Sequence, residues 1–222
     1  MFLQGKMLKK VKISVLMALY NTDFSHIKRA IDSVLQQDFN DFELIIIDDG
    51  SNDSNRKSLL KYVEKHENKI IYIRHSNRGQ SASINRGVLN SVGEFITIID
   101  SDDEYKPQHL SSCLQEIENV DLICSTTETI VGSIEDYFVP DKNDHTKLIH
   151  LDDGILFGTL FGRKKVFEII KFKNGFAADA DFYERAKKQF LVKKVNLRTY
   201  IYYRNMPNSI CSTLKKQISN VN

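Results

Sequence analysis

Apolar residues fall in short blocks that stop at polar punctuation, and strand-like runs alternate with helix-like periodicity along the first hundred positions. Val11 to Leu19 is mostly apolar and predicts a buried strand. Tyr20-Asn21-Thr22-Asp23 is the loop that follows, and Asp23 or Ser25 can cap the next helix. In that helix Ile27, Ala30, Ile31, Val34 and Leu35 share one face. Phe42 to Ile47 predicts the second strand, which runs into the turn-forming Asp48-Asp49-Gly50-Ser51-Asn52-Asp53-Ser54. A helix from about Asn55 to Lys65, a strand from Ile70 to Arg74, a helix from Ser81 to Ser91 and a strand from Phe95 to Ile99 complete this half.

Strand–helix–strand repeats with short links imply right-handed crossovers and an α/β fold with a mostly parallel central sheet. Ligands of such sheets bind beyond the carboxyl ends of the strands. Tyr20, Asp48-Asp49 and Asp100 to Asp103 all stand at such ends, so three polar loops are expected to converge on one crevice. The second half is less regular. Pro107 opens a helix running to about Glu118, and Val120 to Thr126 reads as a strand. Thr127 to His150, with Pro140, His145 and His150, reads as an irregular hairpin or loop. Ile155 to Phe161 is apolar, and Arg163 to Ile170 reads as a helix. A Gly-broken loop then places Asp179 just before a helix from Asp181 to Gln189. Val192 to Tyr203 reads as one or two strands, and Arg204 to Cys211 as a loop. The expected organisation is a single domain over residues 11–212 with short tails at 1–10 and 213–222.

Composition narrows the class. The 222 residues are 41% hydrophobic and 27% charged with a net charge of +2, an ordinary globular balance that gives no reason to invoke nucleic acid. The Lys6-Met7-Leu8-Lys9-Lys10 stretch precedes an apolar run, but Lys12 breaks that run and no small-residue cleavage site follows, so a signal peptide is not expected. No run approaches the ~20 apolar residues of a membrane span. Cys113, Cys124 and Cys211 are odd in number and lack metal-type spacing, which reads as reduced thiols in a cytoplasmic protein.

The chemistry is concentrated in Asp100-Ser101-Asp102-Asp103, where three carboxylates follow an apolar strand. Like charges this close repel, and a divalent cation among them would relieve the repulsion. Oxygen donors suit Mg²⁺ or Mn²⁺, which in turn hold a diphosphate. Asn77-Arg78-Gly79-Gln80-Ser81 enters a helix N-terminus, a place that favours an anion. Helix capping by the same Asp and Ser residues is the plainer alternative at both places.

Taken in order, I-S-V-L-M-A-L-Y-N, F-E-L-I-I-I-D-D-G-S-N-D, N-R-G-Q-S-A-S-I-N-R-G, G-E-F-I-T-I-I-D-S-D-D, A-D-A-D-F-Y-E-R and Y-Y-R-N-M-P-N-S resemble the motifs of the family 2 glycosyltransferases. The resemblance covers the chain from Val11 to about Ser212. It implies the nucleotide-diphospho-sugar transferase (GT-A) fold, Rossmann-like, with helices on both faces of the sheet. It implies a UDP-sugar donor, a glycan or glycoconjugate acceptor, and a Mn²⁺ or Mg²⁺ cofactor. By position, Ala18 and Tyr20 would border the base, Asp49 would accept the uracil N–H, and Asn77 and Arg78 would lie near ribose and diphosphate. Asp102 would be the direct metal ligand. Asp100 would stand nearer the ribose with a second role at the metal, and Ser101 lies between them in the nucleotide-sugar site. Asp179 would be the general base of an inverting transfer, and Arg204 and Ser209 candidate leaving-group contacts.

Three positions depart from the family pattern: Ala178 where it often has Glu, Ile84 where it often has Arg, and Met206 where it commonly has His. They leave open a degenerate protein of the same fold that binds a nucleotide-sugar without turnover. Little chain follows the core, so a homodimer or partner subunit is an expected aid to acceptor selection. A sugar nucleotidyltransferase would need a glycine-rich phosphate loop, which Ala18 to Phe24 lacks. A receiver-like signalling domain would be roughly half this length.

Overall fold

The structure is a computed structural model that describes residues 10–52, 56–142, 144 and 147–204. The expected terminal tails beyond Lys10 and Arg204, Asp53 and Ser54, His145, and the positions Met206, Ser209 and Cys211 lie outside the described residues. The first half follows the periodicity closely: β1 (Ile13–Leu19), α1 (Phe24–Leu35), β2 (Phe42–Asp48), α2 (Arg56–Glu64), β3 (Ile70–Arg74), α3 (Gln80–Asn90) and β4 (Phe95–Ile98). The second half holds β5 (Glu104–Tyr105), α4 (His109–Glu116), β6 (Leu122–Ile130), β7 (Phe138–Pro140), β8 (Leu148–His150), β9 (Leu160–Arg163), α5 (Lys164–Ile170), α6 (Ala178–Lys187) and β10 (Val192–Tyr203).

Among the described residues eight strands form one sheet in the order β3-β2-β1-β4-β9-β6-β10-β5, and β7 pairs with β8 as a hairpin, one of the two alternatives expected for that segment. Strands β3, β2, β1 and β4 are parallel, as are β6 and β10. Strand β9 runs antiparallel between β4 and β6, and β5 runs antiparallel on β10. The period-2 geometry of strands sorts the core into two layers. Ile13, Val15, Met17 and Leu19 pack with Ile27, Ile31 and Val34 of α1, Leu59 of α2, and Leu110 and Cys113 of α4. Leu16, Ile45 and Ile47 pack with Ile84 and Val88 of α3, Val166 and Phe167 of α5, and Phe182 of α6. Helices therefore cover both faces. Glu43, a charge inside an apolar strand, is buried with partners: its Oε1 accepts from Ser14 Oγ and from the Val92 N–H at 2.8 Å.

Three expectations are corrected. Within the apolar run Ile155 to Phe161, Leu160 begins an inserted strand, which the short alternation did not reveal. Strand β6 extends to Ile130, beyond the predicted Thr126. Helix α6 starts at Ala178, because Ala177 adopts the left-handed conformation (φ 51°, ψ 42°) and acts as its N-cap, so Asp179 sits inside the first turn rather than before it.

Tyr200 of β10 ties the sheet to the polar rim. It is fully buried, and its hydroxyl donates to Asp103 Oδ2 at 2.7 Å while accepting from the Asp100 N–H at 3.2 Å. A Cβ built at Gly158 would lie 2.1 Å from Tyr200 Cε2 and Cζ. Gly158→Ala is therefore expected to displace the ring and cost about 3 kcal/mol of stability. A denaturant midpoint unchanged from the parent would refute this.

Candidate active site

The carboxyl ends of β1, β2 and β4 lie side by side, since Leu19 is in register with Asp48 and Leu16 with Ile98. Ala18 is partly buried near the end of β1 and Tyr20 is 53% exposed beyond it. The two carboxylates after β2 do different work. Asp48 is buried: its Oδ1 accepts from the Ser51 N–H at 2.8 Å and its Oδ2 from the Tyr72 hydroxyl at 2.5 Å, with Arg74 Nε at 3.4 Å. Burial alone would raise its pKa, but the Tyr72 and Ser51 hydrogen bonds and the Arg74 charge outweigh that and hold it below the usual carboxylate value. Asp48 therefore shapes the turn.

Asp49 is 4% exposed and reaches the next loop. Its Oδ1 accepts from the Arg78 N–H at 2.7 Å and its Oδ2 from the Gly79 N–H at 2.9 Å. His75 Nδ1 also lies 3.4 Å from Oδ1, and the second lone pair of Oδ2 is left for one more donor. Gly50 (φ 81°) allows the approach, because a Cβ there would lie 2.7 Å from the Asn77 nitrogen. The side chains of Asn77 and Arg78 are left at the surface. From Gly79 the chain enters α3, and Gln80 Nε2 donates to Asp100 Oδ1 at 2.7 Å. Asp49 is thereby linked to Asp100 through two consecutive residues.

After β4 the acidic loop is fastened from several sides. Ser101 Oγ is 2.7 Å from Thr22 Oγ1, in the loop after β1. Arg29 of α1 donates from Nη2 to the Asp102 carbonyl. Asp103, 1% exposed, accepts from the Tyr200 hydroxyl and, through Oδ1, from the Tyr203 N–H at 2.9 Å. Burial, with the charges of Asp102 and Asp179, pushes Asp100 up to about 7. Burial also raises Asp102, with His26 and Arg29 opposing, and raises Asp103 well above the usual range together with the charges of Asp100 and Asp102. Asp179 is pushed up to about 6 by burial, although its carboxylate accepts from the Ala180 N–H at 2.8 Å and from the Phe157 main chain. Asp100 thus feels the charge of Asp179, far away in sequence.

A carboxylate whose folded pKa is raised stabilises the fold below its unfolded value, and that stability is lost as pH rises through the folded value. The metal-free protein is therefore expected to lose stability from about pH 4 to pH 7. His109 works against this slope: burial lowers it to about 3, so the fold gains stability as pH rises through its unfolded value. Four raised carboxylates outweigh one histidine. Thermal unfolding in EDTA should show Tm falling between pH 5 and 7.5, less steeply in Asp100→Asn; a flat profile would contradict the buried charges.

Among the described residues no three His, Cys, Asp or Glu side chains converge as a self-sufficient metal cage. Asp100 and Asp102 nonetheless fit a cation of the Mg²⁺ or Mn²⁺ kind, which takes one or two carboxylates and completes its shell with substrate phosphate oxygens. Arg204 is anchored on main-chain carbonyls. It is buried, with Nε donating to the Asp136 carbonyl at 3.1 Å and Nη2 to the Phe138 carbonyl at 3.2 Å, and it braces the entry to the β7–β8 hairpin. Ile84 is fully buried in the apolar layer under α3, so an apolar side chain meets what the core needs there. Asp103, Arg29 and Gln80 were not singled out in sequence. The hydrogen-bond partners of these side chains lie from 20 to 100 positions away, and only the third carboxylate of the acidic cluster was a visible signal for one of them.

A parallel 3-2-1-4 half-sheet extended by a mixed half, with acidic residues at the strand ends, defines the GT-A class of nucleotide-diphospho-sugar transferase folds. Solved structures of that class superpose on it. Staphylococcus aureus TarS 1-349 in complex with UDP-GlcNAc matches with a TM-score of 0.71 at 22% identity, over 89% of this chain and 60% of that one. The mannosyltransferase PcManGT of Pyrobaculum calidifontis, in complex with GDP-Man and Mn²⁺, matches with a TM-score of 0.72 at 12% identity, over 96% and 62%. At such identities the likeness establishes the fold. The particular family follows from sequence: the model of Glycosyl transferase family 2 matches residues 14–177, and the chain belongs to that family. An uncharacterized glycosyltransferase of Nostoc sp. is 34% identical over 136 residues, 61% of this chain and 39% of the relative. The chain thus spans well under half the length of that relative.

Proposed function

We propose that the chain transfers a sugar from a UDP-sugar to an acceptor hydroxyl of a glycan or glycoconjugate, with inversion at the anomeric carbon. The carrying observation is that Asp100 and Asp179, from opposite halves of the chain, share one buried acidic environment next to the loop held by Asp49. Tyr20 and Ala18 border the base and Asp49 offers the remaining lone pair of Oδ2 to the uracil N–H. The exposed side chains of Asn77 and Arg78 lie beside the ribose and diphosphate. Ser101 holds the acidic loop to Thr22. Asp102, with Asp100 beside it, would hold Mn²⁺ or Mg²⁺, which when bound neutralises charge on the leaving diphosphate.

Asp179 accepts the acceptor's proton. Near pH 7 a carboxyl with a pKa of about 6 is mostly ionised yet basic enough to take it. The freed oxygen attacks the anomeric carbon opposite the nucleotide, so one displacement turns an α-linked donor into a β-linked product without a covalent enzyme intermediate. Asp179 lies in the first turn of α6, where a negative charge is favoured and its position is rigid. Among the described residues no helix is long and apolar enough to cross a membrane.

A panel of UDP-sugars with and without Mn²⁺ tests this by thermal shift. A donor at 100 times its dissociation constant stabilises by about 2.7 kcal/mol. Metal-dependent stabilisation by one UDP-sugar, with release of UDP on adding acceptor or slowly to water, is the expected result. Equal or no response across the panel would overturn the donor assignment, and binding without UDP release would favour the degenerate reading.

A further inference from the structure

We propose that Arg29 is a positioning residue for Asp102: it grips the main chain of the acidic loop and so leaves the Asp102 carboxylate available to a cation. The inference rests on the metal-assisted reading above. A guanidinium beside an acidic loop would ordinarily pair with a carboxylate there and compete with a metal. Here, among the described residues, the one hydrogen bond of the guanidinium goes to main chain, and Nε, buried without a hydrogen-bond partner, is met only by the charge of Glu104. Nη2 donates to the Asp102 carbonyl oxygen, and Nε lies 3.1 Å from Glu104 Oε1. The planar group is stacked over Tyr203, with its carbon 3.9 Å from the ring centroid.

The unit is closed on itself. The Tyr203 hydroxyl donates to the same Glu104 Oε1 at 2.6 Å, and the Tyr203 N–H donates to Asp103 Oδ1. Glu104 thus balances the charge of Arg29, and Tyr203 fixes its plane. Arg29 belongs to α1, whose Ile27, Ala30 and Ile31 are locked in the core, so the grip is applied from a rigid element. The Asp102 carbonyl is held from α1 while the adjacent Asp103 carboxylate is held from β10. The peptide between them has little freedom to turn, and the direction of the Asp102 side chain is set by what its backbone is tied to.

The test measures Mn²⁺ binding to the full chain with saturating UDP, from the electron paramagnetic resonance signal of free Mn²⁺. Removing an outer partner of a metal ligand typically weakens the metal by 10–100-fold, so R29M is expected to raise the Mn²⁺ dissociation constant by about 10-fold. R29K keeps the charge without the flat fork and should show a smaller rise. Y203F keeps the ring and should stay close to the parent. UDP affinity without metal should not change in any of them. A merely structural clip between α1 and β5 would lower Tm and leave Mn²⁺ affinity as in the parent, and that result would overturn the proposal. Should R29M fail to fold, R29K decides: a parental Mn²⁺ affinity in R29K overturns it too. If the parent itself binds no Mn²⁺ with UDP, the metal-assisted reading fails first and this inference with it, and that is seen before any variant is compared.

Discussion

Asp179→Asn is expected to lower the rate of sugar transfer by about 10²- to 10⁴-fold, the usual contribution of a positioned general base. Asn keeps the size of the side chain, so the Ala180 N–H can still be accepted by the amide oxygen while the proton acceptor is gone. The substitution also removes a buried charge that raises Asp100, so the fold should be no less stable near neutral pH. Donor affinity should be close to the parent's. The decisive combination is lost turnover with intact UDP-sugar binding by calorimetry. Full activity with the true acceptor would remove Asp179 from the chemistry.

Asp102→Asn is expected to have a comparable effect by a different route. A neutral amide oxygen is a far weaker donor than a carboxylate for a hard divalent cation. The metal-dependent part of donor affinity should disappear, and with it several kcal/mol of leaving-group stabilisation. Thermal shift by UDP-sugar with Mn²⁺ should fall to the value seen in EDTA, and excess Mn²⁺ should not restore turnover. If Asp102→Asn kept a metal-dependent shift of parental size, the ligand would have to be sought elsewhere, and Asp100 would be the first substitution to make.

The first half of the fold was legible because each strand carries its own hydrophobic run and the crossover helices turn apolar residues such as Ile27, Ile31 and Ile84 to the core. Ile13 to Leu19 and Phe42 to Asp48 send alternate residues into two layers, and no long-range information is needed to see it. Strand β9 was not legible: four residues, Leu160 to Arg163, owe their state to neighbours on both sides rather than to their own pattern. The start of α6 was misplaced because Ala177, a good helix former, takes the left-handed conformation, and nothing local announces that. At the site, the acidic positions stood out because charge directly after a buried strand is anomalous. The parts that hold them did not stand out. Gln80 reads as an ordinary helix start, Arg29 as a surface residue of an amphipathic helix, and Tyr200 as one more aromatic in a strand. Arg204, whose motif pointed to the diphosphate, also donates to the Asp136 and Phe138 carbonyls, an anchoring role that its motif did not announce.

The tether from Tyr200 and Tyr203 to Asp103 joins positions 97 and 100 residues apart, and this sets a timetable for maturation. On the ribosome, β1 to β4 and their helices can be synthesised and begin to pair while the acidic loop still lacks its anchor. Contacts of such separation form late because the intervening chain must first be ordered. A nascent chain stalled before β10 should therefore protect the amides of β1 and β2 against exchange long before it can retain a nucleotide.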